Sequence, residues 1–245
     1  MTDAERLAIQ RQTNHLFTPE GRMLHTNSPD RSAAPRFCFS GCRTGNLSAI
    51  GWQLPESVAN RLLALTAEEP PFVAENGGPV NLDQYLALVA PDGPPPVARL
   101  GVTYVLLRRS RFDAQVRLVH SHTQTGKDLL ARLAEFGLPP RLLDLNFRDD
   151  ISELWPPWCV GLVDGEIASI AFAARLSASG AEVGVATIRS MRGRGYGAAV
   201  TAGWTRSPLL KRRALFYSAA QANRSSRAVA ARLGLRQLGA TLEIG

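Results

Sequence analysis

The sequence predicts an α/β (α+β) fold: a mixed, mostly antiparallel sheet flanked by helices, with an additional N-terminal α/β region. Three observations carry that expectation. "VGLVDGEIASIAF" (160–172) sets two apolar strand patterns around an Asp-Gly pair, a hairpin signal. From residue 116 on, strand and helix patterns alternate, and two of the helices run into a glycine. The composition, 45% hydrophobic and 20% charged, is an ordinary globular balance that can bury a substantial core.

The elements follow in chain order. The opening 50 residues are rich in Pro, Gly, Asn and Ser, with short strands expected at Arg22–Thr26 and Arg36–Ser40. "PESVANRLLALTAEEPP" (55–71) reads as a helix with Val58, Leu62, Leu63 and Thr66 on one side, stopped by its proline pair. "NLDQYLALVA" (81–90) reads as another, capped by Asn81, with Gln84 at the third helical position and a stripe of Leu82, Tyr85, Leu86 and Val89. "PDGPPP" (91–96) interrupts all periodicity and is expected to link residues 1–90 to a domain over 97–245, although a stiff surface loop has the same composition. "VRLVHS" (116–121) is an expected strand. "TGKDLLARLAEFG" is an expected helix with Leu129, Leu130, Leu133 and Phe136 inward and Gly137 as its stop. Its Gly-Lys pair is no phosphate loop, because Ser121 stands where GxxxxGK needs its first glycine. After the hairpin come a third strand at "AEVGVATI" (181–188) and a helix with Tyr196, Ala199, Val200, Gly203 and Trp204 on one face. The strand "ALFYSAA", a helix between the cap Asn223 and the stop Gly234, and the strand "LRQLGATLEI" complete the chain.

Charge and cysteine usage narrow the class. No apolar run is long enough to cross a bilayer, and the polar start "MTDAERLAIQRQTN" lacks the apolar core of a signal peptide. Cys38, Cys42 and Cys159 are odd in number and lack a CxxC spacing, so free thiols in a reducing, cytoplasmic setting are expected, without membrane or metal. The net charge of +7 is concentrated: Val183–Leu242 holds eleven basic residues and no Asp or Glu. Such a field suits a polyanion, whether nucleic acid or a phosphate-rich cofactor, and equally suits solvated arginine-rich helix faces.

The centre of that segment is "MRGRGYGAAV" (191–200). A strand ending at Ile188 feeds a helix whose first turn is glycine-rich. Gly193, Gly195 and Gly197 remove the side chains that keep a ligand off the backbone. First-turn N–H groups and the helix dipole favour an anion, and Arg192 and Arg194 add charge-assisted donors. The dinucleotide pattern GxGxxG does not fit, since the spacing here is GxGxG and no acidic ribose ligand follows.

Arg192-x-x-Gly195-x-Gly197 resembles the R/Q-x-x-G-x-G/A signature of the general N-acetyltransferase (GNAT) superfamily. "AEVGVATIRSM" is similar to the family's fourth strand and pyrophosphate loop, "YSAAQANRSSRAVAARLGLRQLG" to its fifth strand, Asn-capped helix and entry to the last strand, and "VGLVDGEIASIAF" to strands two and three. The resemblance is dense over 158–245, thinner back to Val97, and leaves out residues 1–90. It implies a GNAT-like fold and an acyl-CoA cofactor, acetyl-CoA by preference. Backbone groups of Val185, Ala186 and Thr187 would pair with the pantetheine arm, where the family's fourth and fifth strands splay apart. N–H groups of Gly193, Arg194, Gly195, Tyr196, Gly197 and Ala198 would hold the pyrophosphate, Arg192 would open the loop, and Asn223 stands where the family's cofactor-contacting asparagine sits.

For catalysis the resemblance implies Glu182 as general base; a strand-end carboxylate or an amine anchor is the plain alternative. The family's other base position is Ser218, and its usual general-acid tyrosine position is Ala230, which leaves Tyr217, Tyr196 or water to supply the leaving thiolate's proton; Tyr217 is nearest in sequence. His120 and His122 alternate on a strand and would share a face without a third ligand, and "WPPW" (155–158) would wall a pocket or pack a core. The expected activity is N-acetyl transfer from acyl-CoA to a primary amine of a small molecule or amino acid. Sensing of acyl-CoA without turnover, acetylation of a macromolecular amine on charged tRNA or protein, and nucleic-acid binding are the alternatives.

Overall fold

The computed structural model describes residues 1–90, 96–137 and 155–245. The expected linker therefore lies, except for Pro96, outside the described residues. The chain forms two compact units interleaved in sequence. Unit 1 comprises Met1–Val105, Ser218–Ser226 and Arg236–Gly245; unit 2 comprises Leu106–Tyr217 and Arg227–Leu235. Unit 1 thus takes in residues on both sides of the proline-rich stretch. Both units are sheets flanked by helices, mostly antiparallel, as the element pattern predicts.

In unit 1, β1 (His15–Phe17) and β2 (Met23–Thr26) form a small antiparallel pair. The main strands are β3 (Phe37–Cys42), β4 (Gly45–Ile50), β5 (Ala98–Leu106, its last residue in unit 2) and β11 (Arg236–Ile244), in the order β4-β3-β11-β5. β11 runs antiparallel to both neighbours, placing Leu242 opposite Phe39 and Leu100. Helices α2 (Glu56–Glu68) and α3 (Leu82–Val89) pack their apolar sides on this sheet. The core they close holds Phe37, Phe39, Leu62, Phe72, Tyr85 and Leu242. On α2 the inward residues are Ala59 and Leu62, with Val58 and Leu65 beside them; Leu63, expected inward, is 45% exposed. The two helical-wheel sides differ by one position, and the aromatic cluster selects the Ala59 side. Asn81 does not cap α3 with its side chain, whose oxygen accepts instead from Gln84 Nε2 at 2.9 Å. The cap role falls to buried Glu69, which accepts from the N–H groups of Val80 and Asn81 and from the Tyr85 hydroxyl. Four elements escape the sequence patterns: α1 (Asp3–Asn14), β1, β4 and β5. In α1 only Leu7, Gln10 and Thr13 are buried, so two of three inward positions are polar and the periodicity is hidden.

Unit 2 contains β6 (Arg117–His120), β7 (Trp158–Val163), β8 (Glu166–Leu176) and β9 (Gly180–Thr187) as an antiparallel run, with β10 (Ala214–Ala220) parallel to β9. β10 gives its last three residues to unit 1. The β7–β8 hairpin turns at Asp164 and Gly165, both at positive φ (52° and 84°), as the Asp-Gly pair predicts. α4 (Gln124–Phe136) is capped by Thr123, whose hydroxyl accepts from Gly126 N–H, and it ends at Gly137 with φ 76°. Leu129 and Leu133 pack inward, whereas Leu130 (37% exposed) and Phe136 (77%) do not. α5 (Tyr196–Trp204) departs further from expectation: all nine of its residues are buried, not one face. Its small side chains let sheet and neighbours close around it, and Trp204 Nε1 donates to Pro157 O at 2.7 Å, so part of "WPPW" is core. α6 (Arg224–Arg232) is capped by Asn223 and followed by Gly234 at φ 59°, as expected.

Candidate functional site

The glycine turn lies wholly in unit 2, between β9 and α5. Gly193 and Gly195 have φ of 84° and 86°, which a residue with a Cβ adopts only under strain. Two arginines fix the turn from outside. Arg192 Nε donates to Thr187 O at 3.1 Å, and Arg232 Nη2, from the last turn of α6, donates to Gly193 O at 3.3 Å. The carbonyls of Thr187 and Gly193 are thereby engaged. Among the described residues, the N–H groups of Gly193, Arg194, Gly195, Tyr196, Gly197 and Ala198 make no hydrogen bond; the first one into the helix is Ala199 N–H to Gly195 O. Gly195 to Ala198 are buried as well. Buried amides without an acceptor are rare in folded proteins, and an anionic oxygen at a helix start satisfies several at once. Among the described residues, nothing lies within 4 Å of where a Cβ on Gly193 would point. At Gly195 that space is taken: the Phe112 ring, from the β5–β6 connection, comes to 2.8 Å of the Cβ position.

The strand leading into the turn has a free edge. β9 pairs with β10 only over Gly180–Ala214, Ala181–Leu215 and Glu182–Phe216. From Val183 to Thr187 its strand partners among the described residues are on β8 alone. Backbone groups at Val185, Ala186 and Thr187 therefore include some with no strand partner on the β10 side. The Thr187 side chain shares a 2.8 Å hydrogen bond with Ser169, and the Thr187 hydroxyl and Val185 lie against Gly197, at 3.2 and 3.6 Å from its Cβ position. The structure thus brings together Val185, Thr187, Arg192, Gly193 and Gly197 around one turn.

The remaining expected residues are placed as follows. Glu182 is partly buried at the end of the β9–β10 pairing, opposite Phe216 on one side and Arg175 on the other. Tyr217, one residue on from Phe216, is 3% exposed. Arg194 is exposed and forms no hydrogen bond among the described residues. Asn223 belongs to unit 1, where its Oδ1 accepts from Ser226 N–H at 3.0 Å. Ala230 is buried on α6. Ser218, also in unit 1, joins Gln10 Nε2 (3.0 Å) and Thr103 Oγ1 (3.1 Å) in a polar cluster. The sequence singled out neither Arg232 as a brace of the turn nor Phe112 as its neighbour. Arg232 stood among eleven basic residues with nothing to set it apart, and no local pattern marks Phe112.

His120 and His122 do approach, with ring centroids 5.5 Å apart, although β6 ends at His120 and His122 lies in the following turn. Burial, then His122, then Arg206 hold the His120 pKa below its ordinary value. No cluster of three or more potential metal ligands exists among the described residues. All three cysteines are free and buried; burial pushes the Cys38 and Cys159 thiols up to about 12. No helix among the described residues is long and apolar enough to cross a membrane.

No family model matches the sequence, and no curated protein matches it. Solved structures of similar chain trace include a GCN5-related N-acetyltransferase from Kribbella flavida, 19% identical, with 68% of this chain and 63% of that chain covered and a TM-score of 0.41. A GCN5-related N-acetyltransferase-like protein from Streptococcus suis is 17% identical over 100% of both chains, with a TM-score of 0.45. A GCN5-related N-acetyltransferase from Sphaerobacter thermophilus is 14% identical, with 98% of this chain and 84% of that chain covered and a TM-score of 0.46. At such identities a shared trace says nothing about chemistry.

Proposed function

We propose that this protein is an acyl-CoA-dependent N-acyltransferase that moves an acetyl group to a primary amine of a small molecule or amino acid. The observation that carries the proposal is the run of six amides, Gly193–Ala198, without acceptors beside a strand edge left unpaired from Val183. Those amides would grip the diphosphate, with Arg192 and Arg194 adding positive charge, in a stretch free of carboxylates from Val183 to Leu242. Backbone groups of Val185, Ala186 and Thr187 would align the pantetheine arm by strand-like pairing. Acetyl-CoA, when bound, supplies a thioester carbonyl open to direct attack. Glu182 would accept the proton of the attacking amine, and Tyr217 would donate one to the departing sulfur. On this proposal the cofactor-binding part of the chain runs from Val97 onward and the protein works in the cytoplasm. A second reading, sensing of acyl-CoA without turnover, draws on Ala230, a buried alanine where the resemblance places the general-acid tyrosine.

The test is thermal unfolding with and without acetyl-CoA, followed by thiol release with a panel of amines. Acetyl-CoA at a hundredfold over its Kd should stabilise by about 2.7 kcal/mol, raising Tm on the order of 5–10 °C. Glu182→Gln should keep that shift and lower turnover about 100-fold or more. No shift at any acetyl-CoA concentration would defeat the proposal; a shift without thiol release from any amine would favour the sensor.

A further inference from the structure

We propose that unit 2 also binds the phosphate backbone of single-stranded nucleic acid. The charge of the protein is divided unequally. Unit 2 holds eighteen basic and ten acidic residues, a net of +8, whereas unit 1 holds ten and eleven, a net of −1. The ion pairs Met1–Glu5, Arg22–Glu56 and Arg236–Asp3 lie in unit 1. Among the exposed cations of unit 2, Arg189, Arg192, Arg194, Arg206, Lys211 and Arg212 flank α5, and none of these six forms an ion pair among the described residues. They are grouped in two triplets. One triplet precedes α5 and the other follows it, and α5 spans about 14 Å. Because α5 is buried along its whole length, the charges sit on the connecting segments at its two ends.

That placement selects the partner. A diphosphate at the glycine turn would engage the first triplet and leave Arg206, Lys211 and Arg212 without a role. A rigid duplex is read by a helix or ribbon laid in a groove, and neither triplet rides on an exposed one. A flexible strand can follow charges around a buried helix, and guanidinium groups suit phosphate by their paired donors. An anionic membrane would need an apolar face among the cations, where Leu209 is the single large apolar side chain exposed between Arg189 and Arg212.

The experiment is fluorescence anisotropy of the whole protein with a labelled single-stranded RNA of mixed sequence, over a range of salt. If all six cations neutralise phosphates, log K should fall against log salt with a slope of about −4, an affinity loss of roughly 300-fold between 50 and 200 mM. Replacing Arg206, Lys211 and Arg212 together by alanine should halve the slope to about −2 and the loss to roughly 20-fold. The charge-keeping variant Arg206→Lys with Arg212→Lys should retain the full slope. No binding at 50 mM salt, an unchanged slope in the alanine variant, or tighter binding to phosphatidylglycerol vesicles than to RNA would each overturn the proposal. Acetyl-CoA enters none of these measurements, so they stand or fall apart from the acyl-transfer proposal.

Discussion

At the scale of the residue, burial decides which ionisable groups are silent. Cys159 lies opposite His120 in the β6–β7 pair, and its thiol is held near 12 by burial, so it stays protonated. His120 is shifted the other way, down from 6.5, by burial first and then by its neighbours His122 and Arg206. The unfolded chain therefore binds a proton at His120 before the folded one does. Stability contributed by the neutral ring is full well above 6.5 and is lost as pH falls from there through the lower value of the folded state. The expected outcome is a fall in Tm between pH 7 and pH 5 that is smaller in His120→Asn; equal pH profiles for the two proteins would show that His120 carries no linkage. Neither the alternation of His120 and His122 nor any other local pattern foretold this, because half-burial against Cys159 is a fact of strand pairing.

At the scale of the element, the glycine turn was legible and its surroundings were not. Alternating glycines ahead of small apolar residues announce a helix start with bare amides, and Gly193, Gly195 and α5 form one. The brace from Arg232 and the ring of Phe112 come from segments far along the chain. Gly195→Ala should be costly for two separable reasons. A Cβ at φ 86° costs about 1–2 kcal/mol, and it would stand 2.8 Å from the Phe112 ring. The double variant with Phe112→Ala should recover the second part and leave the first. Chemical denaturation of the four proteins of that cycle measures the coupling; additive effects would mean that Phe112 yields freely. Elsewhere, α2 and α4 were correctly expected as helices, yet Leu63, Leu130 and Phe136 face outward. A helical stripe fixes an apolar side only to within a residue or so, and the facing sheet selects the rest.

At the scale of the whole molecule, sequence order and compactness part company. β11, the last strand, lies between β3 and β5 in unit 1, so residues separated by nearly the length of the chain share one core. Leu242 is fully buried there against the cluster of Phe37, Phe39 and Tyr85. Leu242→Ala should destabilise the protein by about 2–5 kcal/mol, read as a lower midpoint of urea unfolding. A loss below about 1 kcal/mol would show that the unit 1 core repacks around the gap. The sequence by itself determined which segments become strands and helices wherever an apolar period, a cap or a turn residue spoke clearly, along with the glycine turn and the carboxylate-free stretch around it. Only the tertiary structure decided that β9 loses its β10 partner after Glu182, that six amides find no acceptor among the described residues, and that unit 1 draws its strands from both ends of the chain. Local signals report what a few neighbouring residues prefer, whereas strand pairing and burial are set by contacts between segments whose separation in sequence leaves no periodic trace.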